Sequence, residues 1–254
     1  MRTTWWIAAL AALLPIPLAA QSLAQRVQGA PDGTVRLSFA SREGVCSRGP
    51  GSITIIDGDN DFDPEWENDC ERGPVRVSLR TRGGRVTDAE TYVGGRWRSG
   101  SGKVTDLGTV PVREAVDLLL ALAPQVSDDD DGGELVTAAT LADSAVVWPQ
   151  LLRMARDEGI REGTRKQAVF WLSQAAGDAA TLGLDSLATD NKGDIEIRKQ
   201  AVFALSQRPT EEGVPALIRI AQTNRHPELR KTALFWLGQS EDPRALTLFE
   251  EILR

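Results

Sequence analysis

The chain is poor in the residues that carry most site chemistry. Its 254 residues include one histidine and two cysteines. Two thiols cannot make a four-ligand zinc site without histidines, and His226 lies far from Cys46 and Cys70, just before Pro227, where it reads as a turn residue. There is no glycine-rich phosphate loop ending in Lys-Ser/Thr, no Gly-x-Ser-x-Gly and no Cys/His pair, so the common nucleotide-binding and nucleophilic designs are excluded. Positive charge is not in excess either. Against 36 Asp and Glu there are 29 Lys and Arg, a net charge of −7, which leaves no global basic field for nucleic acid or an anionic membrane. No cofactor is implied. Long apolar runs are missing as well. The Trp5–Leu14 run falls short of the ~20 residues a membrane span needs and is followed by Pro15 and Pro17.

What that N-terminal run does resemble is an export signal over residues 1–24. Arg2 supplies the charged start, and Leu18-Ala19-Ala20 or Ser22-Leu23-Ala24 supplies a small-residue cleavage site. An uncleaved anchor is the alternative. Export predicts a periplasmic or extracellular protein with no stable membrane insertion after cleavage. In that setting an even cysteine count favours a Cys46–Cys70 disulfide.

Residues 26–109 read as a small antiparallel β domain. Val35, Leu37 and Phe39 alternate with polar residues, as do Val75, Val77 and Leu79, which puts each set on one face of a half-buried strand. Gly83-Gly84 and Gly94-Gly95 suit tight hairpins, and Trp97 is expected to pack in this unit. Residues 110–142 read as a helical connector with an acidic loop. Val112, Ala115, Val116, Leu119, Leu120 and Ala123 fall at helical spacing, the run Ser127 to Gly133 reads as a solvated loop, and helix resumes from Glu134 to Leu141.

Residues 143–254 contain one phrase three times: RKQAVFWLSQ from Arg165, RKQAVFALSQ from Arg198 and RKTALFWLGQ from Arg230. The starts are 33 and 32 residues apart (198−165 and 230−198), a period that marks stacked supersecondary units. Ile197, Ala201, Ala204 and Leu205 form an apolar helical stripe. Thr164, Ala168, Trp171 and Leu172 match it, as do Leu229, Ala233, Trp236 and Leu237. A first helix precedes each phrase, at Val147–Arg156, Gly183–Thr189 and Val214–Gln222, with Pro149 and Pro215 tolerated in a first turn. A lone helix, Arg244–Arg254, ends the chain and offers Leu246, Phe249, Ile252 and Leu253 to close the stack. The pattern apolar-Arg-Lys-x-Ala-x-x-(Ala/Trp)-Leu resembles the second helix of HEAT repeats, in the short subclass similar to phycobilisome-lyase HEAT-like repeats. Asp242-Pro243-Arg244-Ala245-Leu246 resembles that subclass's turn into the next first helix. The resemblance implies an α-solenoid of antiparallel helix pairs that holds other proteins. The whole chain is then an α+β, multi-domain protein.

Three constellations are candidate sites. Arg165-Lys166, Arg198-Lys199 and Arg230-Lys231 would align into a basic ladder on stacking. The preferred alternative has each Arg bonding its neighbour's acidic turn and each Lys solvated, because exposed ion pairs are common and weak. Phe170, Phe203 and Phe235 lie round the helix from the core stripe, so each is either wedged between second helices or exposed as a peptide-binding row flanked by Gln174, Gln207 and Gln239. Acidic residues occupy every second position from Asp57 to Glu71, and Asp57, Asp59, Asp61 and Asp63 could supply calcium ligands. Phe62 stands where an EF-hand-like loop needs glycine, and Asn68 where it needs glutamate; an ion-free acidic loop is the alternative. These features point to a non-catalytic, exported scaffold for a protein or peptide partner. The alternatives are an enzyme or accessory subunit, lyase-like, acting at the junction of β domain and solenoid, and a calcium-dependent structural module.

Overall fold

Period-two alternation becomes a four-stranded sheet. The computed structural model of the protein describes residues 21–48, 52–55, 70–98, 102–175 and 177–254. A short helix α1 (Leu23–Gln28) leads into β1 (Gly33–Phe39), and the other strands are β2 (Val45–Ser47), β3 (Thr54–Ile55), β4 (Glu71–Arg72), β5 (Val75–Arg82), β6 (Arg85–Val93) and β7 (Val104–Thr109). The main sheet runs β6-β5-β1-β7. Val35, Leu37 and Phe39 pair with Leu79, Val77 and Val75, and all six are buried on one face. Gly83-Gly84 makes the β5–β6 hairpin with φ of 57° and 73°, values only glycine adopts freely. Gly94-Gly95 does not make the second expected hairpin. After it the chain crosses to the far edge of the sheet, so β7 lies parallel to β1 while the other pairs are antiparallel. Trp97 is half-buried outside the core. The Arg36 guanidinium sits 4.7 Å from its ring centre and Tyr92 meets its edge at 5.8 Å.

The short strands form a second sheet, β3-β2-β4, closed by the Cys46–Cys70 disulfide. The bond spans a sequence separation of 24. On the chain-entropy argument a loop of that size contributes about 3 kcal/mol, and replacing both cysteines by alanine should lower unfolding stability by that amount. Equilibrium denaturation of the variant beside the oxidised protein measures it.

Helices follow in layers. The first is α2 (Val112–Leu122) with α3 (Asp129–Thr140). The acidic run expected as a loop is the first turn of α3. Asp128 is the N-cap, its Oδ1 accepting the Asp130 N–H at 2.8 Å, and the aspartates that follow are favoured by the positive end of the helix dipole. The Asp131 carboxylate accepts the Ala89 N–H at 2.9 Å, and the Glu134 carbonyl accepts from the Thr91 hydroxyl at 3.3 Å, so α3 is tied to β6. Burial raises the Asp131 pKa, partly opposed by the bond from Ala89.

The remaining pairs are α4 (Trp148–Arg156) with α5 (Glu162–Ser173), α6 (Asp178–Thr189) with α7 (Ile195–Ser206), and α8 (Thr210–Thr223) with α9 (Pro227–Gln239). Helix α10 (Pro243–Ile252) stands alone. Second helices α5, α7 and α9 pack side by side, each on its own first helix. Ile197, Ala201 and Leu205 are buried, as are Ala168 and Leu172, and Ala233 and Leu237. Pro149 lies in the first turn of α4 as expected, but Pro215 lies inside α8, which starts earlier, at Thr210. Pro215 is solvent-exposed, where water can hydrate the carbonyl left without a partner. Helix α10 lays Ala245 and Leu248 on the stack and turns Leu246, Ile252 and Leu253 outward, so these three do not close it.

The buried apolar residues form one cluster from Leu23 to Leu248, and the sheet is the wall behind the first helical layer. Helix α1 belongs to it. Ser22 and Gln25 cap it reciprocally, and Leu23 and Val27 are buried. A cut after Ala24, the end of the expected signal segment, would remove that cap together with Leu23. Residues 1–20 lie outside the described residues.

Candidate protein-interaction face

The repeated Arg-Lys pair divides in two. Arg165 is 4% exposed; its Nε donates to the Ala155 carbonyl in the last turn of α4 (3.2 Å), and its Nη1 donates to Asp194, the N-cap of α7 (3.1 Å). Asp194 also accepts the Glu196 N–H at 2.8 Å. That backbone bond first, and Arg165 after it, hold its carboxyl below the usual range. Arg198 is as buried, with Nε on the Ala188 carbonyl in α6 (3.3 Å). Its layer has His226 at the N-cap of α9 where the previous one has Asp194, so it has no counterpart of that ion pair and its Nη2 has no hydrogen-bond partner, although the Asp190 carboxylate lies near enough to act on its charge. Burial lowers its pKa. Arg230 donates to the Asn224 and Arg225 carbonyls after α8 (2.8 and 3.2 Å). The arginines thus clamp each second helix to the carbonyl-rich end of its own first helix and form no exposed basic ladder.

The lysines point outward. Lys166 pairs with Glu162 on its own helix. Lys199 bridges Glu196 (3.0 Å) and Glu228 of α9 (2.9 Å). Lys231 is exposed with no ion pair among the described residues. Four residues on from each lysine, on the same helical face, stands a phenylalanine, and four further the exposed Gln174, Gln207 or Gln239.

The three rings differ in environment. Phe203 is half-buried, its centre 4.9 Å from that of Trp236 in the next layer. Phe170 is 37% exposed and Phe235 58%. The next layer has Ala204 in the place corresponding to Trp236, and the ring that Phe170 meets is that of its own neighbour Trp171, edge on at 5.3 Å. Among the described residues no second helix follows α9 to cover Phe235. Wedging therefore holds for Phe203 and exposure for the other two, which leaves two aromatic surfaces, in the first and third layers, each bordered by a lysine and a glutamine.

Arg208 was not singled out by sequence. It occupies the place taken by Ala175 one layer earlier and Ser240 one layer later, and it is 8% exposed. Its guanidinium donates to the Ser173 (3.0 Å), Ala175 and Gly177 (3.2 Å) carbonyls, to the Thr181 hydroxyl (2.7 Å) and to Glu212 (2.9 Å). The signal available in sequence was a paired exchange, Ala204 for tryptophan in the middle phrase and Arg208 for a small residue just after it.

At the junction of sheet and helices lies a cavity of about 340 Å³ lined by Arg42, Ser144, Trp148, Trp171 and Gln174 among others, with no carboxylate in its wall. The calcium candidates Asp57, Asp59, Asp61 and Asp63 lie outside the described residues. Among the described residues no group of three or more His, Cys, Asp or Glu could hold a metal ion, and no helix is long and apolar enough to cross a membrane.

Residues 184–254 match the family model of HEAT repeats. A comparison with curated proteins finds no match.

Proposed function

We propose that the protein is a non-catalytic scaffold that holds another polypeptide along the outer face of α5, α7 and α9, outside the cytoplasm. HEAT repeats are protein-interaction scaffolds, and an array of packed helix pairs presents a continuous surface that no single pair could. The observation that carries the reading is the exposure of Phe170 and Phe235 beside outward lysines, on helices whose repeated arginines turn inward to helix-end carbonyls. The Arg2 start and the apolar run after it support export. Cleavage after Ala20 would leave α1, its cap and Leu23 intact.

The test separates surface from core. Phe170→Ser with Phe235→Ser should leave the protein folded, with most of any stability loss coming from the partly buried Phe170, while capture of the partner from an envelope extract is lost. Phe203→Ser, which strips the ring packed on Trp236, should lower the melting temperature. Capture undiminished in the double variant would remove this face from consideration.

A further inference from the structure

The period of the repeat exposes a recurring slot, filled once and open twice. Moving by 33 residues takes Ser173, Ala175 and Gly177, whose carbonyls hold the Arg208 guanidinium, onto Ser206, Arg208 and Thr210. Moving by 32 takes Ala204, Gln207 and Arg208 onto Trp236, Gln239 and Ser240. These six destination residues all line one cavity of about 540 Å³ between the ends of α7 and α9 and the start of α8. Moving back by 33 takes both sets onto Thr140, Ala142 and Ser144 and onto Trp171, Gln174 and Ala175, all of which line the junction cavity. The three places are therefore one structural position. In the middle layer the chain plugs it with its own arginine. Ser240 in the third layer is too short to do so and bonds back to the Leu237 carbonyl at 2.8 Å.

We infer that the third-layer cavity is a socket for an arginine side chain of a bound polypeptide. The inference rests on the scaffold reading for the polypeptide, and on the Arg208 slot for the guanidinium. The Ser206 and Arg208 carbonyls at the end of α7 correspond to two that Arg208 caps one layer earlier. Helix-end carbonyls lack intrahelical donors and favour a cation. Trp236 also lines the cavity, and an aromatic ring attracts a guanidinium that comes within about 6 Å of it. Glu241 and Asp242 line the mouth, and Glu241 pairs with no cation among the described residues. Three of the five acceptors of the filled slot are lost. Val214 stands for Thr181, Arg244 stands for Glu212 on the 32-residue shift, and the Thr210 carbonyl is taken by Arg244 at 3.2 Å, which also pairs with Asp242. The socket is thus shallower in hydrogen bonds than the one Arg208 occupies. The junction cavity is not proposed for the same ligand, because Arg42 stands in its wall with no carboxylate, whereas Glu241 and Asp242 accompany Arg208 in the wall of the third-layer cavity.

Titration of isotope-labelled protein with N-acetyl-arginine amide, followed at the Gly213 and Leu217 amides that line the cavity, tests the socket. Saturable shifts are expected at probe concentrations on the order of 10 mM, as befits a single side chain. N-acetyl-citrulline amide, the same shape without the charge, should bind about tenfold more weakly. Trp236→Ala with Ser240→Arg, which transplants the Ala204/Arg208 pair and plugs the slot, should abolish the shifts. Glu241→Lys should do the same should the first variant not fold. The Phe170→Ser, Phe235→Ser protein should keep them, so failure of the aromatic face and failure of the socket are read separately. Absence of saturable shifts, or equal shifts with citrulline, would overturn the inference.

Discussion

Replacing Arg208 by alanine is expected to lower the unfolding stability by about 2–5 kcal/mol, since two carbonyls that it caps lose their donor at about 1–3 kcal/mol each. No other side chain described here gathers acceptors from so many segments. The end of α5, the turn after it, α6 and α8 all reach its guanidinium. Without it the Ser173 and Ala175 carbonyls lose their donor, while the Gly177 carbonyl keeps the Ala180 N–H at 3.1 Å, and each buried unmet group carries its desolvation penalty. In a chain of this size the melting temperature should fall on the order of 10 °C. Lysine should recover little, since a single ammonium cannot span acceptors arranged for a planar fork. Calorimetry on the alanine and lysine variants measures both, and a shift as small as that of an exposed substitution would mean the slot is not a structural joint.

Gly132→Ala sets two effects of opposite sign against each other. Alanine in a helix interior is intrinsically favoured over glycine by about 1 kcal/mol. At this position, however, a Cβ would lie 2.1 Å from the Thr164 hydroxyl oxygen and 3.0 Å from the Ala123 carbonyl. Thr164 is buried on α5, so relief requires α3 and α5 to move apart, and overpacking of this kind costs about 1–3 kcal/mol or more. The clash wins, and net destabilisation is the expected result. Adding Thr164→Ala should return part of the loss. It should not return all of it, because the Ala123 carbonyl is backbone. Urea denaturation of the single and double variants reads the coupling directly. A more stable single variant would show that the two helices are not held at this separation.

The same glycine shows why part of the fold was hidden. Four aspartates and two glycines in a row carry the signature of a solvated loop, and locally that signature is sound. Here Asp128 caps, the next aspartates meet the helix dipole, and Gly132 is needed for a contact with a residue 32 positions away (164−132). The crossing of β7 to the far side of the sheet was hidden for a related reason. Strand pairing is chosen by which edge is open, and the Gly94-Gly95 turn carries no record of that. Pro215 was misplaced by a turn because the helix start lies at Thr210, upstream of any apolar periodicity.

By itself the sequence determined the parts whose causes are local or periodic: the alternation that buries Val35, Leu37 and Phe39, and the repeated stripe that stacks α5, α7 and α9 on their first helices. Burial of one face writes its own period into a chain, so such faces can be read back. Only the tertiary structure decided which repeated side chains are available to a partner. Phe203 and Phe170 sit in nearly identical phrases, yet one is covered by Trp236 and the other is left open where Ala204 stands. Arg165, Arg198 and Arg230 sit beside lysines of the same charge and turn inward to helix-end carbonyls. Exposure and pairing depend on the residue across the layer boundary, some 30 positions away in the chain and a few ångströms away in space, and no local pattern encodes that distance.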